Sequence, residues 1–148
     1  MTPNNQSIVL SITVKDAAAA LAFYEKAFDA EALYTLPMPD GSLGHADVKI
    51  GNTMVHLSGE YPDWKALSPE TIGGSPNLIC IRHDDFERLY QQALENGAEV
   101  IVPMQDYPWG FRTGVITDPF GHRWSIGKQT EELSPEQVMQ RLSGQPEA

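Results

Sequence analysis

The chain has 148 residues, 41% of them apolar and 20% charged, a balance that fits one folded domain with a substantial core and excludes a disordered or fibrous polymer. Against 10 Lys and Arg stand 20 Asp and Glu, a formal net charge of -10, which argues against nucleic acid as a partner because phosphate binding draws on clustered cations. No apolar run is long enough to span a bilayer and no secretory succession opens the sequence, so no membrane association and a cytoplasmic address are expected; the single cysteine, Cys80, fits a reducing compartment.

Residues 8–14 alternate Ile8, Leu10, Ile12 and Val14 with Val9, Ser11 and Thr13, the period-two pattern of a strand. Asp16 then offers an N-cap, and Leu21, Tyr24 and Phe28 share one face of a helix over residues 16–28. Strands are predicted at 30–36 and 45–50 around Pro39-Asp40-Gly41, and at 54–58 after the turn Gly51-Asn52. Residues 59–76 hold Pro62, Pro69, Pro76 and Gly73-Gly74, which predicts a connector without regular structure. A second series follows: a strand at 78–83, a helix at 85–95 stopped by Asn96-Gly97, and strands at 99–104, 110–117 and 122–126, the last after Asp118-Pro-Phe-Gly121. Ser134-Pro-Glu-Gln137 joins a capping serine to a proline at the first helical position and predicts a terminal helix over 134–143.

The two series repeat one another. Asp16 precedes Ala30-Glu31 by the interval that separates Asp84 from Ala98-Glu99, so the order βαβββ occurs twice, in modules 7–58 and 77–128 joined by the connector 59–76 within a single domain of 1–148. The predicted fold class is α+β, with two βαβββ modules forming one curved mixed sheet around a central cavity. Helices must cover the apolar strand faces. The alternate residues then line the cavity: Val9, Ser11 and Thr13; Met54, His56 and Ser58; Leu78, Cys80 and Arg82; Arg123 and Ser125. Trp124 and Ile126 face the helices.

Among these residues, His45 and His56 read as polar groups that bond to a ligand, with an imidazole base as the catalytic counterpart. Cys80 reads as a small buried hydrophobe rather than a nucleophile. His83 is expected to face the core and His122 to sit in a turn, neither with a chemical role. Tyr107-Pro-Trp-Gly-Phe-Arg112 offers Trp109 to stack on a flat or cationic ligand and Arg112 to grip a carboxylate; the equal alternative is that the aromatics plug the end of the sheet and Arg112 ties down the loop. Asp84-Asp85 and Glu131-Glu132 read as solvated charge. There is no triad order, phosphate-cradling glycine loop or HExxH helix.

The doubled βαβββ order, together with Asp118-Pro-Phe-Gly-His122 before Trp124, resembles the vicinal oxygen chelate superfamily of the glyoxalase and bleomycin-resistance type over nearly the whole chain. Leu36-Pro-Met-Pro-Asp-Gly41, Gly44-His45, Gly73-Gly-Ser-Pro76 and Trp109-Gly-Phe-Arg112 are most similar to its PhnB-like branch. The resemblance implies half-barrel modules, a ligand or metal on the concave face, and a homodimer. It also implies that metal-dependent members carry one ligand on the first and last strand of each module, positions that fall here on Val9, His56, Leu78 and Ser125. Two of these cannot bind metal, where a catalytic zinc takes three protein ligands. No cofactor is therefore expected, with a divalent ion shared by His45, His56, Glu60 and Cys80 as the alternative. The expected function is binding or sequestering a small organic ligand through Ser11, His45, His56, Cys80, Trp109, Arg112 and Ser125. The alternative is a lyase, isomerase or dioxygenase of the same superfamily that uses a displaced metal site or a histidine base.

Overall fold

Asp16 starts the first helix as its spacing predicts: its carboxylate accepts the Ala19 N–H at 3.0 Å, and Asp29 ends the helix in the left-handed region at φ 55°, its N–H donating to the Tyr24 carbonyl. The structure is a computed structural model describing residues 5–144, so the four outermost residues at each end of the expected 1–148 domain lie outside the described residues. The chain divides into two compact units, Met1–Gly74 and Ser75–Ala148, each carrying one βαβββ module and its own four-stranded mixed sheet.

In the first unit, β1 (Ser11–Thr13), α1 (Ala17–Phe28), β2 (Glu31–Pro37), β3 (Leu43–Ile50) and β4 (Thr53–Ser58) build a sheet in the order β1-β4-β3-β2. Strand β1 runs parallel to β4; the other neighbours are antiparallel. The buried stripe of α1 is Ala17, Ala20, Phe23, Tyr24, Ala27 and Phe28, which includes the predicted Tyr24 and Phe28, while Leu21 is half-buried at its margin. Small alanines let the helix approach the sheet while the three aromatic rings pack with centroids 5.5 to 6.0 Å apart. Beneath them lie Ile12, Ala46, Val48, Val55 and Leu57, all buried, and each of the larger ones contributes on the order of 1.5–3 kcal/mol.

Strand β1 is much shorter than the predicted 8–14, and Ile8 is 92% exposed. Its ladder is limited by β4: the bonds run from the Leu10 carbonyl, which accepts from His56 N–H, to the Val14 N–H, which donates to Ser58. The connector departs from expectation in the other direction, since it holds a 3-10 turn at Pro62–Trp64 and α2 at Pro69–Ile72. Each begins on a proline, whose missing N–H costs nothing in a first turn. Buried Ser68 caps α2 through its hydroxyl and donates its own N–H to Glu60 Oε2 at 2.9 Å. That bond, helped by the Thr71 hydroxyl, holds the Glu60 carboxyl below its ordinary range.

In the second unit, β5 (Leu78–Arg82), α3 (Phe86–Glu95), β6 (Glu99–Tyr107), β7 (Phe111–Thr117), β8 (Arg123–Gln129) and α4 (Pro135–Ser143) follow in order, with strands arranged β5-β8-β7-β6. Phe86, Leu89 and Ala93 of α3 are buried on the side that packs on β8, whose Trp124 and Ile126 are fully covered. A Cβ at Gly127 would meet the Arg112 carbonyl and Thr113, so only glycine fits where β8 passes β7. Helix α4 carries the predicted capping box of Ser134 and Gln137. No helix among the described residues is long and apolar enough to cross a membrane.

Three local expectations are overturned. Cys80 is exposed rather than buried, because β5 is an edge strand and its more covered side carries Ile79 and Ile81. His83 is exposed rather than core-facing; β5 ends at Arg82, and the His83 Nδ1 accepts the Asp85 N–H at 2.8 Å. Glu131 is not merely solvated, for Arg141 of α4 grips both its oxygens at 2.9 and 2.8 Å.

Candidate functional site

Strand alternation in the first unit sets a part-exposed face opposite the one that α1 covers. His45 and Asp47, two residues apart on β3, share that face, and the β3–β4 register sets Asp47 opposite His56 and His45 opposite Ser58. The parallel pairing of β1 adds Ser11 beside His56 and Thr13 beside Ser58. The same spacing puts Ala46, Val48, Val55 and Leu57 on the buried side, so hydrophobic packing under α1 locks the polar side chains outward.

Within this face, Asp47 sits between two imidazoles. Its Oδ1 lies 2.8 Å from His45 Nε2 and 3.6 Å from His56 Nε2. The imidazole centroids are 5.1 Å apart at 63°, and Tyr34 stands 6.5 Å from His45. The His45, Asp47 and His56 side chains are 31%, 30% and 38% exposed, wet enough for a ligand to reach and dry enough for charge to matter. Two imidazoles and a carboxylate can share a proton, bond to a polar ligand, or donate to a cation.

The structure thus gathers three predicted site residues, Ser11, His45 and His56, on one face of one sheet. Residue type alone does not mark Asp47, but the turn does: counting outward from Gly51-Asn52, the fourth cross-strand pair is Asp47 with His56. Glu60, named with the histidines as a possible ligand, is instead committed to Ser68.

The remaining predicted residues belong to the second unit. Cys80 pairs with Ser125 across β5 and β8. Ser125 is buried, and its hydroxyl and carbonyl both accept from Arg82, whose guanidinium also lies 5.4 Å from the Phe111 ring centroid. Trp109 stacks on Tyr107 with centroids 4.5 Å apart. Arg112 shares the parity of Ile116, the helix-facing side, where it pairs with Asp106 at 3.3 Å and Glu87 at 3.8 Å. The aromatic pair is therefore separated from the guanidinium by the sheet itself. The turn between them is fastened from behind, with Arg141 donating to the Pro108 carbonyl and both Thr130 and Glu131 N–H groups donating to Gly110.

The Asp118 turn has a structural task. Asp118 is 3% exposed; its Oδ1 accepts the Phe120 and His122 N–H groups at 2.9 and 3.0 Å, and its Oδ2 accepts the Trp124 indole N–H at 2.8 Å.

A family model described as the Glyoxalase/Bleomycin resistance protein/Dioxygenase superfamily matches residues 7–126. The Mycobacterium bovis protein Mb0911c is 39% identical over 137 residues, covering 90% of each chain. Among solved structures, TioX from Micromonospora sp. ML1 aligns with 87% of this chain and 100% of its own at a TM-score of 0.66 and 21% identity. The fosfomycin resistance protein FosX from Listeria monocytogenes, complexed with Mn(II) and sulfate, aligns with 95% of this chain and 99% of its own at 0.64 and 16%. At such identities the two solved structures speak for the fold.

Proposed function

Because the chain belongs to the Glyoxalase/Bleomycin resistance protein/Dioxygenase superfamily, we propose that it holds a small organic ligand against the open face of the first sheet, without the metal set that the family's metal-dependent members place on first and last strands. One observation carries this reading: His45, Asp47 and His56 converge on a half-exposed face whose reverse side is packed shut. Convergent polar groups on a rigid, partly apolar platform are the usual makings of a small-molecule site. Ser11 extends the polar row on the same face, and Met54 and Tyr34 supply apolar surface. The same reading takes the chain as cytoplasmic, in keeping with its single cysteine, and as a homodimer, supported by the exposed apolar Leu33, Leu36 and Met38.

The test is a thermal-shift screen with aromatic and cationic small molecules, followed by calorimetry on the hits. His56→Ala should weaken binding at least about tenfold, the order expected for a lost hydrogen bond to a charged group, while leaving the circular dichroism spectrum unchanged. A wild-type protein that binds nothing in a broad screen refutes the reading. A second reading, metal-free proton transfer, is favoured by the 2.8 Å contact in which Asp47 orients the His45 ring. It requires that a bound ligand exchange a carbon-bound proton with deuterated solvent and that His45→Ala abolish the exchange.

A further inference from the structure

We propose that His45, Asp47 and His56 form a site for a first-row divalent transition ion, which shares only His56 with the four positions the family resemblance implies and replaces Val9, Leu78 and Ser125 by His45 and Asp47 of β3. The site is that of the ligand-binding reading and rests on the same open face. Its three donors come from two adjacent strands, with His45 and Asp47 on β3 and His56 opposite Asp47 on β4. One donor atom from each residue lies within 4.8 Å of the other two.

The separations fit a coordination sphere. Donors at about 2.1 Å from a cation stand about 3.0 Å apart at a right angle and about 3.4 Å apart at a tetrahedral angle. Here Asp47 Oδ1 lies 2.8 Å from one Nε2 and 3.6 Å from the other, and the two imidazole donors lie within 4.8 Å of each other, so side-chain rotation alone would have to close the remaining gap around an ion. The backbone needs no adjustment, because strand alternation and register already hold the three side chains on one face. Two imidazoles beside one carboxylate select transition ions over Mg²⁺ and Ca²⁺, which prefer oxygen alone. The partial exposure of all three leaves coordination positions open toward solvent, as in sites that bind a further ligand rather than closed structural ones. A formal net charge of -10 favours cation capture as well.

The repeated architecture isolates the cluster as a departure. Register places Val115 opposite Ser125 on the second sheet as Asp47 stands opposite His56 on the first, and Thr113 precedes Val115 on β7 as His45 precedes Asp47 on β3. The same scaffold thus folds with Thr, Val and Ser at those places, which leaves the histidines and aspartate of the first module to chemistry rather than to packing.

The experiment uses the full chain, freed of metal by chelator and dialysed against Zn²⁺ or Co²⁺. About one equivalent should be retained, Tm should rise with ion concentration by mass action, and Co²⁺ should show visible bands of imidazole and carboxylate ligation. His45→Ala, Asp47→Asn and His56→Ala should each lower Zn²⁺ affinity at least about 100-fold, since even outer partners of a metal site are worth 10–100-fold. Glu60→Gln should leave Zn²⁺ affinity unchanged. A triple variant with the second module's residues (His45→Thr, Asp47→Val, His56→Ser) should fold, by circular dichroism, and hold no ion. Wild-type protein that retains no ion, or variants that retain it undiminished, overturns the proposal. Organic ligands are then screened on apo and Zn²⁺-loaded protein. An organic ligand that binds protein unable to retain any ion sinks the metal while sparing the ligand reading, and metal retention without any organic ligand does the reverse.

Discussion

Replacing Asp118 with alanine tests whether the Asp-Pro-Phe-Gly-His turn is a folding device or a chemical one. The carboxylate accepts hydrogen bonds from the Phe120 and His122 amides and from the indole of Trp124, a side chain only 1% exposed. Bonds to a charged acceptor are worth about 1.5–3 kcal/mol each, but they do not add here. Phe120 and His122 are partly exposed, so water replaces much of what their amides lose. The indole N–H has no such recourse and bears an unsatisfied-donor cost of about 1–3 kcal/mol. The net loss for Asp118→Ala should be about 3–4 kcal/mol, which for a chain of this length lowers Tm by roughly 8–14 °C. Urea unfolding followed by tryptophan fluorescence and far-UV dichroism measures it. The decisive control is a double-mutant cycle with Trp124→Phe, which removes the donor and should make Asp118→Ala about 1–2 kcal/mol cheaper. A cost below about 1 kcal/mol, or one indifferent to the Trp124 substitution, would refute the reasoning.

Two further outcomes follow from the second unit. Arg141→Met should release α4 from the turn at Pro108 and Gly110, raising amide exchange across residues 135–143 severalfold at neutral pH. The Arg141 guanidinium, by hydrogen bonding, holds the Glu131 carboxyl below its ordinary value of 4.5. A depressed carboxylate gives stability that is present above pH 4.5 and is lost as pH falls through the lowered folded value, so wild-type α4 should loosen only in that acid window; equal exchange in both proteins at neutral pH would contradict this. Exposed Cys80 should react stoichiometrically with a thiol reagent in the native state, and protection until unfolding would disprove the edge-strand placement.

Much of this was legible because local chemistry and fold agree. The caps at Asp16 and Ser134, the breaks at Asn96-Gly97 and Gly51-Asn52, and the doubled βαβββ order all act within a few residues of where they are written. Features that depend on partners were harder to read. Residues 8–10 alternate like a strand, yet β4 offers a ladder only as far as Leu10. Pro62 and Pro69 signal breaks by composition but open short helical turns, because a proline's effect depends on its position. At the site, residue type alone marks His45 and His56, whereas Asp47 is marked only by the strand register across the turn. Arg112 is near Trp109 in sequence, but strand alternation turns its side chain toward Glu87.

The residues that carry the family likeness and the residues that could carry chemistry occupy different physical niches. Asp118, Gly121 and Trp124 are engaged in closing a turn and anchoring an indole, which any βαβββ module of this form needs whatever it binds. His45, Asp47 and His56 contribute nothing to the core beneath α1, which is made by the alternate residues of the same strands. Substitution on one face of a strand is therefore nearly free of the other, and the second module illustrates it by presenting Thr113, Val115 and Ser125 from the same register. The shared architecture therefore does not dictate the side chains of this face: His45, Asp47 and His56 stand on β3 and β4 where the second module has Thr113, Val115 and Ser125, without any change in how the sheet is built.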